Sequence, residues 1–516
     1  MGGSKLKKKI TITAVGVMLL FSTLLTAVFA QTNGSTGKKV HNHDEAFKLG
    51  VEVLLEENLD LLEGKNVGLI TNPTGVTQDL NSIVDVLYNH PDVNLVSLYG
   101  PEHGIRGSAQ AGAGVDFYID PITGLPVFSL YGDTKKPTPE MLEGVDVLLF
   151  DIQDVGTRFY TYIYTMALAM EAAAENDIEF VVLDRPNPIG GNKVEGPVLN
   201  PDYASFVGKY PIPIRHGMTV GELAKLFNNE YDIGADLTVV EMNGWERSMY
   251  YDDTPLEWVL PSPNMPTLDT ATVYPGAAWI EGTNVSEGRG TTRPFELIGA
   301  PYINSPELVS ELSALDLPGV LFRAASFTPL YSKYAGELVH GLQIHVTDRE
   351  NYEPIKTGLA IVKTIHDLYP DDFEFRAENS NGVSFFDLLV GNGWIRDMIN
   401  EGASMEEIVG NWQGDLEEFK ELRRDYLLYK TSATEIKTLV VHLEEEGVIE
   451  ADTARALKMH LTAVIRYEEE GLANKVVKHM KGFNVLLKHQ EEQGMIPEKA
   501  YKHLKADTNA LIAQWQ

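Results

Sequence analysis

Four short apolar stretches, residues 67–70, 95–99, 145–150 and 180–183, alternate with polar turns and with helix-like segments at 79–89 and 160–175. This alternation constrains the fold more than any other feature of the chain. It calls for an α/β architecture, a parallel sheet covered by helices on both faces. Such sheets place their ligands outside the carboxyl ends of the strands, so the residues after each stretch are informative. The first stretch runs into Thr71-Asn72-Pro73-Thr74-Gly75, and the second into Gly100-Pro101-Glu102-His103-Gly104-Ile105-Arg106-Gly107. Asp151-Ile152-Gln153-Asp154-Val155-Gly156-Thr157-Arg158-Phe159-Tyr160 follows the third, and Asp184-Arg185-Pro186-Asn187-Pro188-Ile189-Gly190-Gly191 the fourth. One such cluster is an ordinary turn. Four on one edge look like a site.

At 516 residues the chain is too long for one ordinary core. Lys5, Lys7, Lys8 and Lys9 precede an apolar run that ends in Ala27-Val28-Phe29-Ala30. Residues 1–30 therefore read as a signal peptide cut after Ala30, with an uncleaved membrane anchor as the other reading. The expected protein is secreted, extracellular or associated with the cell wall, with no membrane contact after cleavage. Residues 31–44 read as a flexible leader whose His41-Asn42-His43 cluster is an unstructured tail rather than a metal site. Residues 45–270 hold the first α/β domain. Residues 271–430 hold a second, with a strand at 341–346 and a helix at 355–368. From 431 to 516 apolar residues fall at helical spacing, as in Ile436/Leu439/Val440/Leu443 and Val476/Met480/Phe483/Leu487. Gly447, Gly471 and Gly494 divide this tail into four helices, a separate helical bundle.

Composition removes several chemistries. The chain has no cysteine, which excludes thiolate metal sites, disulfides and a cysteine nucleophile. A formal charge of −32 disfavours nucleic acids and anionic membranes as partners, but not a sugar polymer. Zinc-helix, nucleophile-elbow and phosphate-loop motifs are absent. Gly288-Arg289-Gly290 starts like a dinucleotide fingerprint, but Arg293 stands where the last glycine belongs. No cofactor and no metal are expected at the site.

Carboxylates remain. Glu102, in a Gly/Pro-bounded loop beside His103 and Arg106, suits a proton donor to a leaving oxygen, or else a loop-stabilising ion pair with Arg106. Asp151 and Asp154 suit water activation, cation binding or helix capping. Asp184-Arg185 reads as site or ion pair, and His216 as an acid/base or a satisfied loop histidine. Glu281 and Glu287 flank Asn284 in a loop that also carries Arg289 and Arg293. Arginines there suit an anionic group on the substrate, because the guanidinium fork matches a carboxylate. An export signal, candidate acids and an arginine-rich rim fit hydrolysis of an acidic cell-wall sugar.

At these motifs the sequence resembles the NamZ family of bacterial exo-β-N-acetylmuramidases. The matching stretches include Gly68-Leu69-Ile70-Thr71-Asn72-Pro73-Thr74-Gly75, residues 101–107, Phe150 to Arg158 and Asp184-Arg185-Pro186-Asn187-Pro188. Pro261-Ser262-Pro263-Asn264-Met265-Pro266-Thr267, Glu281-Gly282-Thr283-Asn284 and residues 341–348 extend the likeness over roughly 47–430. The resemblance implies a Rossmann-like domain joined to a smaller α/β domain, with the site in the cleft between them. It implies release of terminal N-acetylmuramic acid (MurNAc) from the non-reducing ends of peptidoglycan fragments, with Glu102 as acid/base. Asp151, Asp154, Tyr160 and Glu287 are the candidates for the second catalytic group. Asn72, His103, Arg106, Arg158, Asp184, Arg185, Asn187, His216, Asn264, Glu281, Asn284, Glu287, Arg289 and Arg293 are the candidate substrate contacts. Arg289 and Arg293 are the candidates for the lactyl carboxylate of MurNAc. The tail resembles the FIMAH helical module of secreted hydrolases, where polymer attachment and simple stabilisation both fit. Two other functions stay open: a metal-assisted hydrolase using Asp151, Asp154 and His216, and a non-catalytic wall-glycan-binding protein.

Overall fold

Apolar residues that alternate between two cores build the first domain. The computed structural model describes residues 47–107, 117–429, 431–445 and 447–516. The expected signal peptide, the leader and its histidine cluster lie outside them. Strands β1 (Asn66–Thr71), β2 (Asn94–Gly100), β3 (Tyr118–Ile119), β4 (Pro126–Ser129), β5 (Val147–Asp151) and β6 (Glu179–Leu183) come first. After the two-stranded β7 (Glu195–Val198) and β8 (Pro213–Arg215), β9 (Leu237–Val240) completes the main sheet. Its order is β3-β4-β2-β1-β5-β6-β9, and every pairing is parallel except β3 with β4. Along β5, Leu148 and Phe150 enter one core while Val147 and Leu149 enter the other. That is the period-two signature of a strand buried on both faces. Helices α1 (Gly50–Glu57), α2 (Ile83–Asn89), α3 (Tyr162–Glu175) and α4 (Val220–Glu230) belong to this domain.

The helix expected from residue 79 begins only at Ile83. Leu80 takes a left-handed φ of 62°, and Leu80 N–H bonds Thr77 O, so residues 77–81 form a tight turn instead.

At the sheet centre, β1 is flanked by β2 on one side and β5 on the other, and Thr71 sits opposite Asp151 where β1 and β5 end. Their loops diverge there, opening the crevice in which open α/β sheets bind ligands.

The second domain comprises α5 (Leu268–Ala277), β10 (Leu297–Ala300), α6 (Ser305–Ala314), β11 (Val320–Phe327), β12 (Val339–Val346) and α7 (Pro354–Leu368). Its strands form an antiparallel sheet ordered β10-β12-β11. Backbone of α5 touches backbone of α7: a Cβ on Gly276 would fall 1.8 Å from Pro354 O, so only glycine fits. Helices α8 (Phe385–Val390), α9 (Trp394–Asn400), α10 (Met405–Asn411) and α11 (Gln413–Arg423) follow. One continuous core joins the two domains, holding Phe150 and Met166 of the first with Leu342 and Leu359 of the second.

Helices α12 (Ala433–Glu445), α13 (Ala451–Glu469), α14 (Ala473–Glu492) and α15 (Glu498–Trp515) form the C-terminal bundle around a core of their own. Gly447, Gly471 and Gly494 end its first three helices at φ of 69°, 66° and 71°. That left-handed conformation is the usual helix C-terminal one. The fold is therefore a mixed α/β body, parallel in its main sheet, with a smaller second domain and a helical bundle.

Candidate active site

Glu102 stands half-buried in the loop after β2. The loop owes its shape to a run of left-handed residues: His103 at φ 77°, Gly104 at 72° and Gly107 at 70°. A left-handed histidine is a strained choice that a packed surrounding must hold, and His103 is only 3% exposed. Arg106 is the anchor. Its guanidinium binds Asp120 at 2.8 and 3.0 Å and Asp85 at 3.1 Å. The pairing lowers the Asp120 carboxyl to about 2. Arg106 thus braces the loop through Asp120, and Glu102 meets another partner, the hydroxyl of Tyr131 just beyond β4. Burial, then the nearby Glu102 charge, pushes that phenol up to about 12, so Tyr131 remains a neutral donor.

Behind Glu102 lies an aromatic wall. Tyr160 packs edge-on against Tyr162 at 5.0 Å and Tyr274 at 5.9 Å, and Tyr274 against Phe295 at 4.7 Å. The Glu102 charge is felt at Tyr160, Tyr162 and Tyr274, and burial raises all three phenols. The Tyr162 hydroxyl donates to Pro261 O at 2.6 Å, tying the wall to the loop that carries Asn264. The Tyr160 hydroxyl and the Asn72 amide at the end of β1 both meet the Tyr162 hydroxyl.

Asp154 and His216 form the floor. Asp154 Oδ2 accepts from Gly156 N–H at 2.7 Å and lies 3.6 Å from His216 Nε2. His216 Nδ1 accepts from Met218 N–H, which leaves Nε2 as the ring nitrogen on the Asp154 side. The other Asp154 oxygen is buried and has no partner.

The second domain supplies the charged side. Arg289 bonds Glu281 at 3.0 Å, lies 3.3 Å from Glu287, and covers the Phe295 ring at 5.3 Å. Lys333 pairs with Glu287 at 3.0 Å and donates to the backbone oxygens of Ile280 and Val285. Burial raises the Glu281 carboxyl, with Glu287 adding to the effect and Arg289 opposing it. Burial lowers the Lys333 ammonium against the pull of Glu287. These residues, with Asn284 and Arg376, line a cavity of about 500 Å³. Its cations, Arg289, Lys333 and Arg376, outnumber its carboxylates, Glu281 and Glu287. Arg289 is also felt at Tyr131 and Tyr274, which links this cavity to the aromatic wall.

Several expected contacts lie elsewhere. Asp151 is fully buried and holds Arg185 in a two-pronged pair at 2.5 and 2.9 Å. Asp184, also fully buried, accepts from Thr219 Oγ1, Gly221 N–H and Tyr429 Oη. Arg158 donates to the backbone oxygens of Pro197, Ile212 and Leu389, joining the two domains from inside. Asn187 braces Met218 O and Ile189 N–H. Asn264 accepts from Tyr331, and Asn284 is held by Tyr302, Asp372 O and Glu374 N–H. Arg293 pairs with Glu296 at 3.1 Å and does not line the cavity. Burial and these partners commit Asp151, Arg158, Asp184, Arg185 and Asn187 to bracing the fold in this structure. The residues that sequence reasoning missed are Tyr131, Tyr162, Tyr274, Lys333 and Arg376. Only the Tyr160-Thr161-Tyr162 pairing carried a visible signal.

Comparison with known proteins fits this geometry. The family description "Exo-beta-N-acetylmuramidase NamZ" matches in both its parts, N-terminal over residues 67–269 and C-terminal over 272–429. The chain belongs to the NamZ family. A FIMAH domain matches residues 433–513. A relative from Bacillus subtilis (strain 168), described as peptidoglycan β-N-acetylmuramidase NamZ, is 58% identical over 424 residues, 82% of this chain and 100% of that protein. Two crystal structures of DUF1343 family proteins from Bacteroides fragilis NCTC 9343 share the NamZ-family fold. One superposes with a TM-score of 0.69 at 44% identity, covering 74% of this chain and 99% of its own. The other gives 0.60 at 33% identity, with the same coverage of 74% and 99%.

Proposed function

We propose that this NamZ-family chain is an exo-acting glycoside hydrolase that releases terminal β-linked MurNAc from the non-reducing ends of peptidoglycan fragments. One observation carries the reading: Glu102, hydrogen-bonded to Tyr131, stands before an aromatic wall that leads to a cavity with excess positive charge. A pyranose packs against Tyr160, the one ring of the wall that is not buried, and the lactyl carboxylate of MurNAc meets Arg289, Lys333 and Arg376. Glu102 then protonates the glycosidic oxygen as its bond to the anomeric carbon breaks, and the oxygen of a water molecule replaces it on that carbon, the water's proton passing to a carboxylate. Asp154 is the second group. Asp151 is sealed by Arg185 and Glu287 by two cations, whereas Asp154 keeps one oxygen without a partner. His216 orients it. The metal-assisted alternative loses Asp151 to the same Arg185 pair. The lysine-rich, apolar N-terminus supports secretion, and a secreted exo-muramidase acts in cell-wall turnover.

The test is a chromogenic β-MurNAc glycoside beside its β-GlcNAc counterpart, each with and without chelator. MurNAc-selective release that chelator leaves unchanged is expected. Equal release from both sugars overturns the lactyl assignment, and no release from either overturns the enzymatic reading.

A further inference from the structure

Away from the cleft, ligand-type side chains from the body and the bundle meet at one point. Glu246 lies in the loop after β9, and His503 and Asp507 lie one turn apart on α15. One ligand atom from each lies within 4.8 Å of the other two. His503 Nε2 is 4.0 Å from Glu246 Oε2. A cation at the centre of such a triangle sits no more than about 2.8 Å from each corner, so shifts of roughly half an ångström reach the ~2.0–2.2 Å of Zn–N and Zn–O bonds.

The surroundings lack what these groups need. His503 Nε2 is shut off from solvent and has no hydrogen-bond partner. Ser248 is 8% exposed, and its hydroxyl donates to the Asp507 carboxylate. Asp507 is 3% exposed. Glu435, in the first turn of α12, adds a third negative charge that is felt at Glu246 and itself feels Asp507. Glu350 faces His503 from the second domain. Asp507 is buried and Glu246 half-buried, and carboxylates so placed beside one histidine favour a counter-charge. Burial raises both carboxyls; at Glu246 the charges of Asp507 and Glu435 add to it, and at Asp507 His503 and the Ser248 hydroxyl oppose it. One imidazole nitrogen with two carboxylates suits a borderline divalent ion such as Zn²⁺, whereas Ca²⁺ prefers oxygen alone.

We propose that Glu246, His503 and Asp507 form a Zn²⁺-type site that pins the C-terminal bundle to the NamZ-family body. Glu246 belongs to the body and the other two to the bundle, so an ion shared by all three couples docking to metal binding. Other ties across this junction include Lys499 with Asp253 at 3.9 Å and Arg424 with Ala513 O at 2.7 Å.

The experiment titrates Zn²⁺ into the full chain by calorimetry, with Co²⁺ as a spectroscopic stand-in, and follows proteolysis of the 427–433 connection. One equivalent of Zn²⁺, visible Co²⁺ bands and slower cleavage in Zn²⁺ are expected. His503→Ala and Glu246→Gln should lose all three at unchanged helicity by circular dichroism. His41→Ala/His43→Ala, which removes the histidines of the leader, should retain them. Absence of Zn²⁺ binding, or binding that survives His503→Ala and disappears with the leader histidines, overturns the proposal. If Asp507→Ala fails to fold, the His503 and Glu246 variants decide the matter.

Discussion

The loop after β2 and the loop after β6 are written in the same residues, yet the fold uses them in opposite ways. Each offers a carboxylate and an arginine among glycines and prolines at a strand end. In the first, Arg106 is engaged by Asp120 and Asp85, and Glu102 stays half-buried at the mouth of the crevice. In the second, Asp184 and Arg185 are both buried, bound to Thr219, Gly221, Tyr429 and Asp151. The difference lies in position along the sheet. β2 is next to the β1/β5 switch point, where Glu102 stays half-buried, whereas β6 lies between β5 and β9, and Tyr429 from the end of the second domain closes over its loop. A carboxylate at a strand end becomes chemistry where neighbouring loops diverge, and a brace where another segment covers it.

If that contrast is right, Glu102→Gln removes activity and leaves stability alone. The amide preserves shape but donates no proton to a leaving oxygen, so turnover of the β-MurNAc glycoside should fall by about 10²- to 10⁴-fold. The denaturation midpoint should match that of the wild type. Near-normal turnover would erase the distinction between the two loops.

Asp184 should show the reverse, with the next largest effect. Burial raises its carboxyl to about 7 from an ordinary 3.8. The folded state therefore holds this proton more tightly than the unfolded chain does. The associated stabilisation is fully present below the unfolded value and is lost as pH rises through about 7, an effect of up to about 4 kcal/mol. Asp184→Asn abolishes the titration. Unfolding free energies measured from pH 4 to 8 should fall less steeply in the variant than in the wild type. Parallel curves would mean that Asp184 is ionised in the fold despite its burial.

What was legible in the sequence follows the same line. The strands at 67–70 and 180–183 announced themselves because an apolar run buried on both sides leaves little choice of structure. The bundle was legible because helical spacing and three glycines agree. Glu102 was visible as a carboxylate in a glycine-rich loop, but its partner was not. Tyr131 follows β4, a four-residue strand between β3 and β2 that is too short and mixed to register as one. The Asp151–Arg185 pair spans 34 residues and two strands, so spacing could not distinguish it from a catalytic acid. Lys333 and Arg376 reach the cavity from loops of the second domain, and Tyr274 comes from a helix whose apolar positions suggest only core. Side-chain partnerships over such separations arise from topology, which local patterns do not encode.

The smallest expected effect sharpens the comparison at its finest point. Tyr131→Phe keeps the ring and removes only the hydroxyl that meets Glu102. The tyrosine is half-buried and its phenol stays protonated up to about 12, so the variant deletes one neutral donor at any working pH. Losing a single hydrogen bond to a carboxylate is worth about 1 kcal/mol where water competes, a fall of roughly fivefold in kcat/KM. Because Glu102 itself remains, kcat should drop far less than in Glu102→Gln. A loss as large as that variant's would place the hydroxyl among the reacting groups rather than beside them. No loss at all would leave Arg106, through Asp120, as the loop's sufficient anchor.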